Sequence, residues 1–168
     1  AHGDIEQRDV LGFDRPQQDV TVGREHLAAR NGVVLIDMSS FTKFEISGRH
    51  ACKFLDHLAV GKIDKQPGSG AYTQLCNARG GIEADVTIIR RSEDCFWLIT
   101  GSGFSVRDRH WIESNMGFKD VALREITSAY GVINLAGPQA RKVLEKVCDS
   151  DIGHDAFAFM SAKDIRIG

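Results

Sequence analysis

Much of the chemistry open to this 168-residue chain is removed by what its sequence lacks. There is no surplus of positive charge: 21 lysines and arginines stand against 23 aspartates and glutamates, so nothing in the balance favours a phosphate backbone as partner. No uninterrupted apolar run approaches the roughly 20 residues of a spanning helix, and the polar start AHGDIEQRDV lacks the apolar stretch of a signal peptide. The expected location is therefore the cytoplasm, or the mitochondrial matrix in a eukaryote. The cysteines Cys52, Cys76, Cys95 and Cys148 form no CxxC pair, and each falls within a predicted helix or strand, so they are expected to be buried free thiols. The six histidines show no HExxH or other ligand spacing, and no metal is assigned. GxSxG, GxxxxGK[ST] and GxGxxG are all missing, which removes the nucleophile elbow, the phosphate loop and the dinucleotide fingerprint. Gly101-Ser102-Gly103 precedes a helix and is read as a tight turn rather than an anion site.

What is present describes a globular domain. Hydrophobic residues make up 42% of the chain and charged residues 26%, proportions that support a real core. The longest run of strand chemistry is Ala71 to Thr100, AYTQLCNARGGIEADVTIIRRSEDCFWLIT. Turn residues at Asn77 to Gly81 and at Ser92 to Asp94 divide it into a three-stranded meander. Period-2 alternation places Tyr72, Gln74 and Cys76 on one face, Thr73, Leu75 and Asn77 on the other, and Asp85 with Thr87 and Ile89. An acid at the start of an otherwise apolar strand has two readings: Asp85 bonds the backbone of the glycine turn, or it faces a ligand.

Elsewhere the pattern alternates between strands and helices. Residues 1–21 read as a lead-in segment or a linker from a preceding domain, and 22–168 as the folded part. A helix is predicted from Gly23 to a stop at Asn31-Gly32, followed by a short buried strand at Val33 to Ile36. Phe41 to Ser47 is a strand, and Gly48 opens a helix whose Ala51, Phe54, Leu55 and Leu58 repeat at i, i+3, i+4 and i+7. A helix over Phe104 to Met116 has Trp111 and Ile112 as its buried candidates, and strands follow at Val121 to Ile126 and Tyr130 to Leu135. Gly137-Pro138 starts a further helix with Ala140, Val143, Leu144 and Val147 on its apolar face, and one more strand is placed near Phe157 to Ile167.

One unit occurs twice: FEISG with RHACKFLDHL, and INLAG with PQARKVLEKV, superpose at constant offset. Gly48 falls on Gly137, Ala51 on Ala140, Leu55 on Leu144 and Leu58 on Val147. The competing explanation is a chance match of a common strand-to-helix pattern. Strands that complete a sheet follow the first copy and barely one follows the second, so an incomplete domain is expected. The fold class is α+β, antiparallel sheets with helices and internally repeated strand–glycine–helix units.

The ordered set REHLAAR, IDMSSFTKFEISG, YTQLCNARGGIEADVTIIRR, FWLITGSG and INLAGPQARKVLEKV resembles the aminomethyltransferase family typified by the glycine cleavage T-protein, and is most similar to the folate-binding domain of dimethylglycine and sarcosine dehydrogenases. The resemblance implies a tetrahydrofolate site against the meander, and transfer of a methylene unit from an iminium derived from a small N-methyl amine. It implies FAD in a preceding flavin domain that these residues do not contain, and a C-terminal half as further partner. Asp85 is the implied catalytic carboxylate; Phe41, Tyr72, Asn77, Glu83, Asp85, Trp97 and Leu98 are the implied folate-binding residues. The family carries two consecutive aspartates after its glycine pair, whereas this chain has Glu83-Ala84-Asp85. That departure leaves a second class open, a non-catalytic regulatory or scaffold protein like the regulatory subunit of pyruvate dehydrogenase phosphatase. A folate-assisted tRNA modification protein fits the neutral charge balance less well.

Overall fold

The computed structural model describes residues 19–168, so most of the segment read as a lead-in lies outside the described residues. In chain order the elements are α1 (Asp19–Asn31), β1 (Val34–Asp37), β2 (Thr42–Ser47), α2 (Ala51–Leu58), β3 (Gly70–Cys76), β4 (Ile82–Ser92), β5 (Cys95–Thr100), α3 (Ser105–Ser114), β6 (Ala122–Glu125), β7 (Ile133–Ala136) and α4 (Ala140–Leu144). The expected meander forms the greater part of a five-stranded antiparallel sheet of order β3-β4-β5-β2-β6, and β1 pairs with β7 in a separate two-stranded ribbon.

The core lies between one face of the large sheet and α2. Alternation along β4 and β5 sends Ala84, Val86, Ile88, Phe96 and Leu98 inward, where they meet the helical stripe Ala51, Phe54, Leu55 and Leu58. Burial of each large side chain in this set stabilises the fold by about 1.5–3 kcal/mol. Ile112 of α3 closes one end of the core. Arg90 is the buried cation of the inward face, and its guanidinium is held by Asp64, Glu93 and the carbonyls of Lys65, Ser92 and Glu93.

The repeat proposed from the sequence has a structural counterpart. Gly48 and Gly137 adopt φ of +125° and +122°, a region that L side chains avoid. In each case glycine lets a neighbouring backbone approach: a Cβ would come within 2.0 Å of the Asp120 carbonyl oxygen at Gly48 and within 2.4 Å of the Gly32 carbonyl oxygen at Gly137. The same two carbonyls accept bonds from His50 N (3.5 Å) and Gln139 N (3.1 Å). The strands exchange partners correspondingly, β2 with β6 and β7 with β1. A chance match would not reproduce this backbone arrangement.

Several expectations need correction. The first helix is already formed at Asp19, because Val20 and Thr21 carry no stop signal and no proline intervenes before Gly23. β1 is not buried: Leu35 is 67% exposed, since its ribbon has two strands and no further layer covers it among the described residues. The helix of the second copy, α4, is only five residues long, and none of Ala140, Val143, Leu144 and Val147 is buried. No strand forms over 157–167; Ser161 and Ile167 make isolated bridges to Ser69 and Cys148. All four cysteines are unpaired, but only Cys148 is buried; the other three lie on half-exposed positions of α2, β3 and β5.

Candidate functional site

Register on the outward face of the large sheet assembles the site. Cross-strand pairing lines up Tyr72, Thr87, Ile99 and Lys43 in one row, with Gln74 and Asp85 in the next. Above them opens a cavity of about 840 Å³, walled by this face, by α3, by the turn carrying Met38 and Phe41, and by Val132 to Asn134 at β7. Its size lies in the range of small-molecule sites, and its surface is mainly apolar with a few polar groups, as such sites are. Phe41, Tyr72 and Phe104 give it aromatic surfaces; Glu83, Asp85, Arg107 and Asp108 are its charged side chains.

Asp85 projects from β4 on the cavity side. It accepts hydrogen bonds from Tyr72 Oη at 2.6 Å and from Gln74 Nε2 at 3.4 Å. The bond to Asp85 pushes the Tyr72 hydroxyl above its ordinary pKa, so tyrosine remains the proton donor of the pair. Of the two sequence readings of Asp85, bonding to the glycine turn is not what the structure has. Asn77 does that work instead: its Oδ1 accepts from Arg79 N and Gly81 N, both at 3.0 Å, while its Nδ2 donates to Glu83 at 2.7 Å. Asn77 therefore supports the site through Glu83 and is not one of the lining residues.

Glu83 is held from two sides. The amide of Asn77, and then the Arg107 guanidinium at 3.0 Å, keep its carboxyl below the usual glutamate value. A register shift between Leu75 and Cys76 lies opposite Glu83, so strand geometry is broken where that side chain turns toward α3. Ala84, where the family pattern would place an acid, pairs with Leu75 and is packed in the core.

The remaining two sequence candidates lie elsewhere. Leu98 is fully buried on the inward face, because alternation along β5 opposes it to Trp97 and Ile99. Trp97 shares the cavity's face but stands one row along the strand, in contact with the tilted Tyr130 ring (centroids 4.6 Å apart) and with the Arg91 guanidinium over its own ring (4.6 Å), and it does not line the cavity. Phe41, Tyr72, Glu83 and Asp85 are thus brought together, with Asn77 behind them.

Sequence reasoning missed Lys43, Thr100, Arg107 and Asp108. Lys43 is 1% exposed and its ammonium donates to the Ser39 carbonyl (2.9 Å) and the Phe41 carbonyl (2.7 Å), tying down the turn that carries Met38 and Phe41. Asp108 is 2% exposed and accepts from Thr100 Oγ1 at 2.5 Å. A signal for it existed: Asp108 and Ile112 are four apart, on one helix face, so an acid shares the stripe that enters the core.

The family described as the GCVT N-terminal domain matches residues 6–168. Mitochondrial dimethylglycine dehydrogenase of Mus musculus is 39% identical over 157 residues, covering 92% of this chain and 18% of that protein. An aminomethyltransferase of Thermoanaerobacter sp. (strain X514) is 29% identical over 150 residues, covering 89% of this chain and 41% of that protein. Among solved structures, the glycine cleavage system aminomethyltransferase T from Bartonella henselae superposes with a TM-score of 0.67 at 28% identity, covering 73% of this chain and 34% of that one. The chain thus spans less than half the length of each of these relatives.

Proposed function

Since the chain belongs to the GCVT N-terminal domain family, as an aminomethyltransferase-type domain related to dimethylglycine and sarcosine dehydrogenases, we propose that it forms the tetrahydrofolate-facing wall of a one-carbon (methylene) transfer domain. The observation that carries this reading is the convergence of Asp85, Tyr72 and Phe41 on one mainly apolar cavity. A flat nitrogen heterocycle needs apolar or aromatic surfaces against its faces and a carboxylate at its N–H edge, and this wall offers both. The donor set fits: Asp85 has neutral donors on both oxygens and remains an acceptor for a further N–H.

Tetrahydrofolate would supply the nitrogens that capture the one-carbon unit, leaving 5,10-methylenetetrahydrofolate as product. The chain's own part is positional and protolytic. Phe41 and Tyr72 border the ring space, and the Tyr72 hydroxyl fixes the Asp85 carboxylate by donating to Oδ2. Asp85 orients an N–H of the acceptor and holds the proton that nitrogen releases on forming its bond to carbon. Asn77 and Arg107 keep Glu83 in place at the rim, and Lys43 keeps the Phe41 turn closed. The iminium would come from an N-methyl amine oxidised by a flavin domain elsewhere in the polypeptide or its assembly, with mitochondrial matrix as the setting in a eukaryote.

The test uses the full-length protein with an N-methyl amine and tetrahydrofolate. Asp85→Asn is expected to cut the yield of 5,10-methylenetetrahydrofolate by at least about tenfold, in the range of general-base contributions, while amine oxidation, followed by flavin reduction, proceeds unchanged. An unaltered ratio of methylene-folate to formaldehyde would remove Asp85 from the reaction.

A further inference from the structure

We propose that Asp108 is a second ligand-binding carboxyl of this cavity, accepting a hydrogen bond from an N–H of the bound heterocycle on the side away from Asp85; this rests on the folate reading above. Asp85 stands on β4 and Asp108 on α3, so the two carboxyls belong to different walls of one cavity. Asp108 is nearly inaccessible from outside, and its single bond among the described residues is the one it accepts at Oδ2 from Thr100. Oδ1 has no partner there and is not among the sealed atoms, of which the Trp111 indole nitrogen is the one described case. Asp108 is one of the residues lining the cavity, and binding there requires the surface that Oδ1 keeps to open into it.

A carboxyl in such a place is costly when its acceptor capacity is left unused. Of the two cations adjacent in sequence, Arg107 bonds Glu83 through the side chain at 3.0 Å and through the Glu83 carbonyl at 2.7 Å, and Arg109 pairs with Glu113 at 2.8 Å and Glu125 at 3.8 Å. A ligand in the cavity that carries an N–H can supply the remaining donor. Thr100 at the end of β5 fixes the carboxyl's orientation, so the acceptor is preorganised before the ligand arrives. Two acceptors on separate walls select a ligand with N–H groups on two edges, which a reduced, amino-substituted pteridine has and an apolar ring does not.

Calorimetric titration of the full-length protein with tetrahydrofolate tests this. Asp108→Asn keeps an acceptor for Thr100 and removes the carboxyl; the dissociation constant is expected to rise about tenfold or more, the range for a hydrogen bond to a charged group. Thermal unfolding run in parallel separates contact from scaffolding. Weakened binding at an unchanged melting temperature supports the assignment, and unchanged binding at any melting temperature overturns it. If Asp108→Asn does not fold, Thr100→Val replaces it: the carboxyl stays but loses its clamp, a loss of about threefold is expected for one neutral hydrogen bond, and no loss overturns the assignment. A wild-type protein that does not bind tetrahydrofolate withdraws the folate reading, and this inference with it; wild-type binding that Asp108→Asn leaves intact withdraws this inference alone.

Discussion

The two strand–glycine–helix units share a backbone arrangement and differ in what receives their apolar side chains. In the first, β2 sits inside a five-stranded sheet and α2 lays Ala51, Phe54, Leu55 and Leu58 onto it. In the second, among the described residues, β7 has β1 as its one partner, Ile133 is 56% exposed, and the matching positions on and after α4 are not buried. The helical pattern is similar in both copies. It decides which side of a helix is apolar; the strands that surround it decide whether that side is buried.

The largest expected effect sets the units directly against each other. Leu55→Ala should lower unfolding free energy by about 2–5 kcal/mol, the cost of a cavity in a packed core, while Leu144→Ala at the matching position should cost less than about 1 kcal/mol. Denaturant unfolding of both variants measures the difference, and equal losses would mean that the second unit is packed as tightly as the first. A second comparison should come out the other way. Gly48→Ala and Gly137→Ala should each cost about 1–3 kcal/mol or more, because both glycines hold positive φ and both admit a backbone carbonyl. Similar losses would show that the turn is equally demanding in the two copies although their helices are not.

The smallest effect lies at the cavity rim. The Glu83 carboxyl is held below its ordinary value by Asn77 first and Arg107 second. A depressed carboxyl contributes stability that is fully present above its unfolded value of about 4.3 and is lost as pH falls through the folded value. Asn77→Ala should therefore raise the Glu83 titration midpoint, and Arg107→Ala should raise it less; both should flatten the acid limb of the stability profile. Carboxyl NMR titration checks the order, and a midpoint that neither change moves would separate Glu83 from both partners.

Much of the fold was legible in local pattern. The β3–β4–β5 meander, the α2 stripe and the two glycines follow from alternation, helical periodicity and the turn residues. The site was legible where strand alternation sets direction, as for Tyr72 and Asp85, and less so where a residue's role depends on a distant neighbour. Asn77 took the turn-bonding part considered for Asp85 because an asparagine amide can accept from the turn and donate to Glu83 at once. Leu98 was placed in the pocket by family likeness, but its inward position on β5 puts it in the core. Ala84 lies in the core too, so its difference from the family pattern leaves the polar row of Gln74 and Asp85 intact.

By itself the sequence determined the strands, the faces of β3 and β4, the helix stripe and the two glycine turns, since each depends on residues a few positions apart. Only the tertiary structure decided that Asp108 would line the same cavity as Asp85, that Lys43 would be sealed beneath the Phe41 turn, and that the second unit's apolar residues would be left uncovered among the described residues. Those outcomes depend on which elements meet across long stretches of chain, and the periodicity of a single element carries no information about the surface it will be packed against.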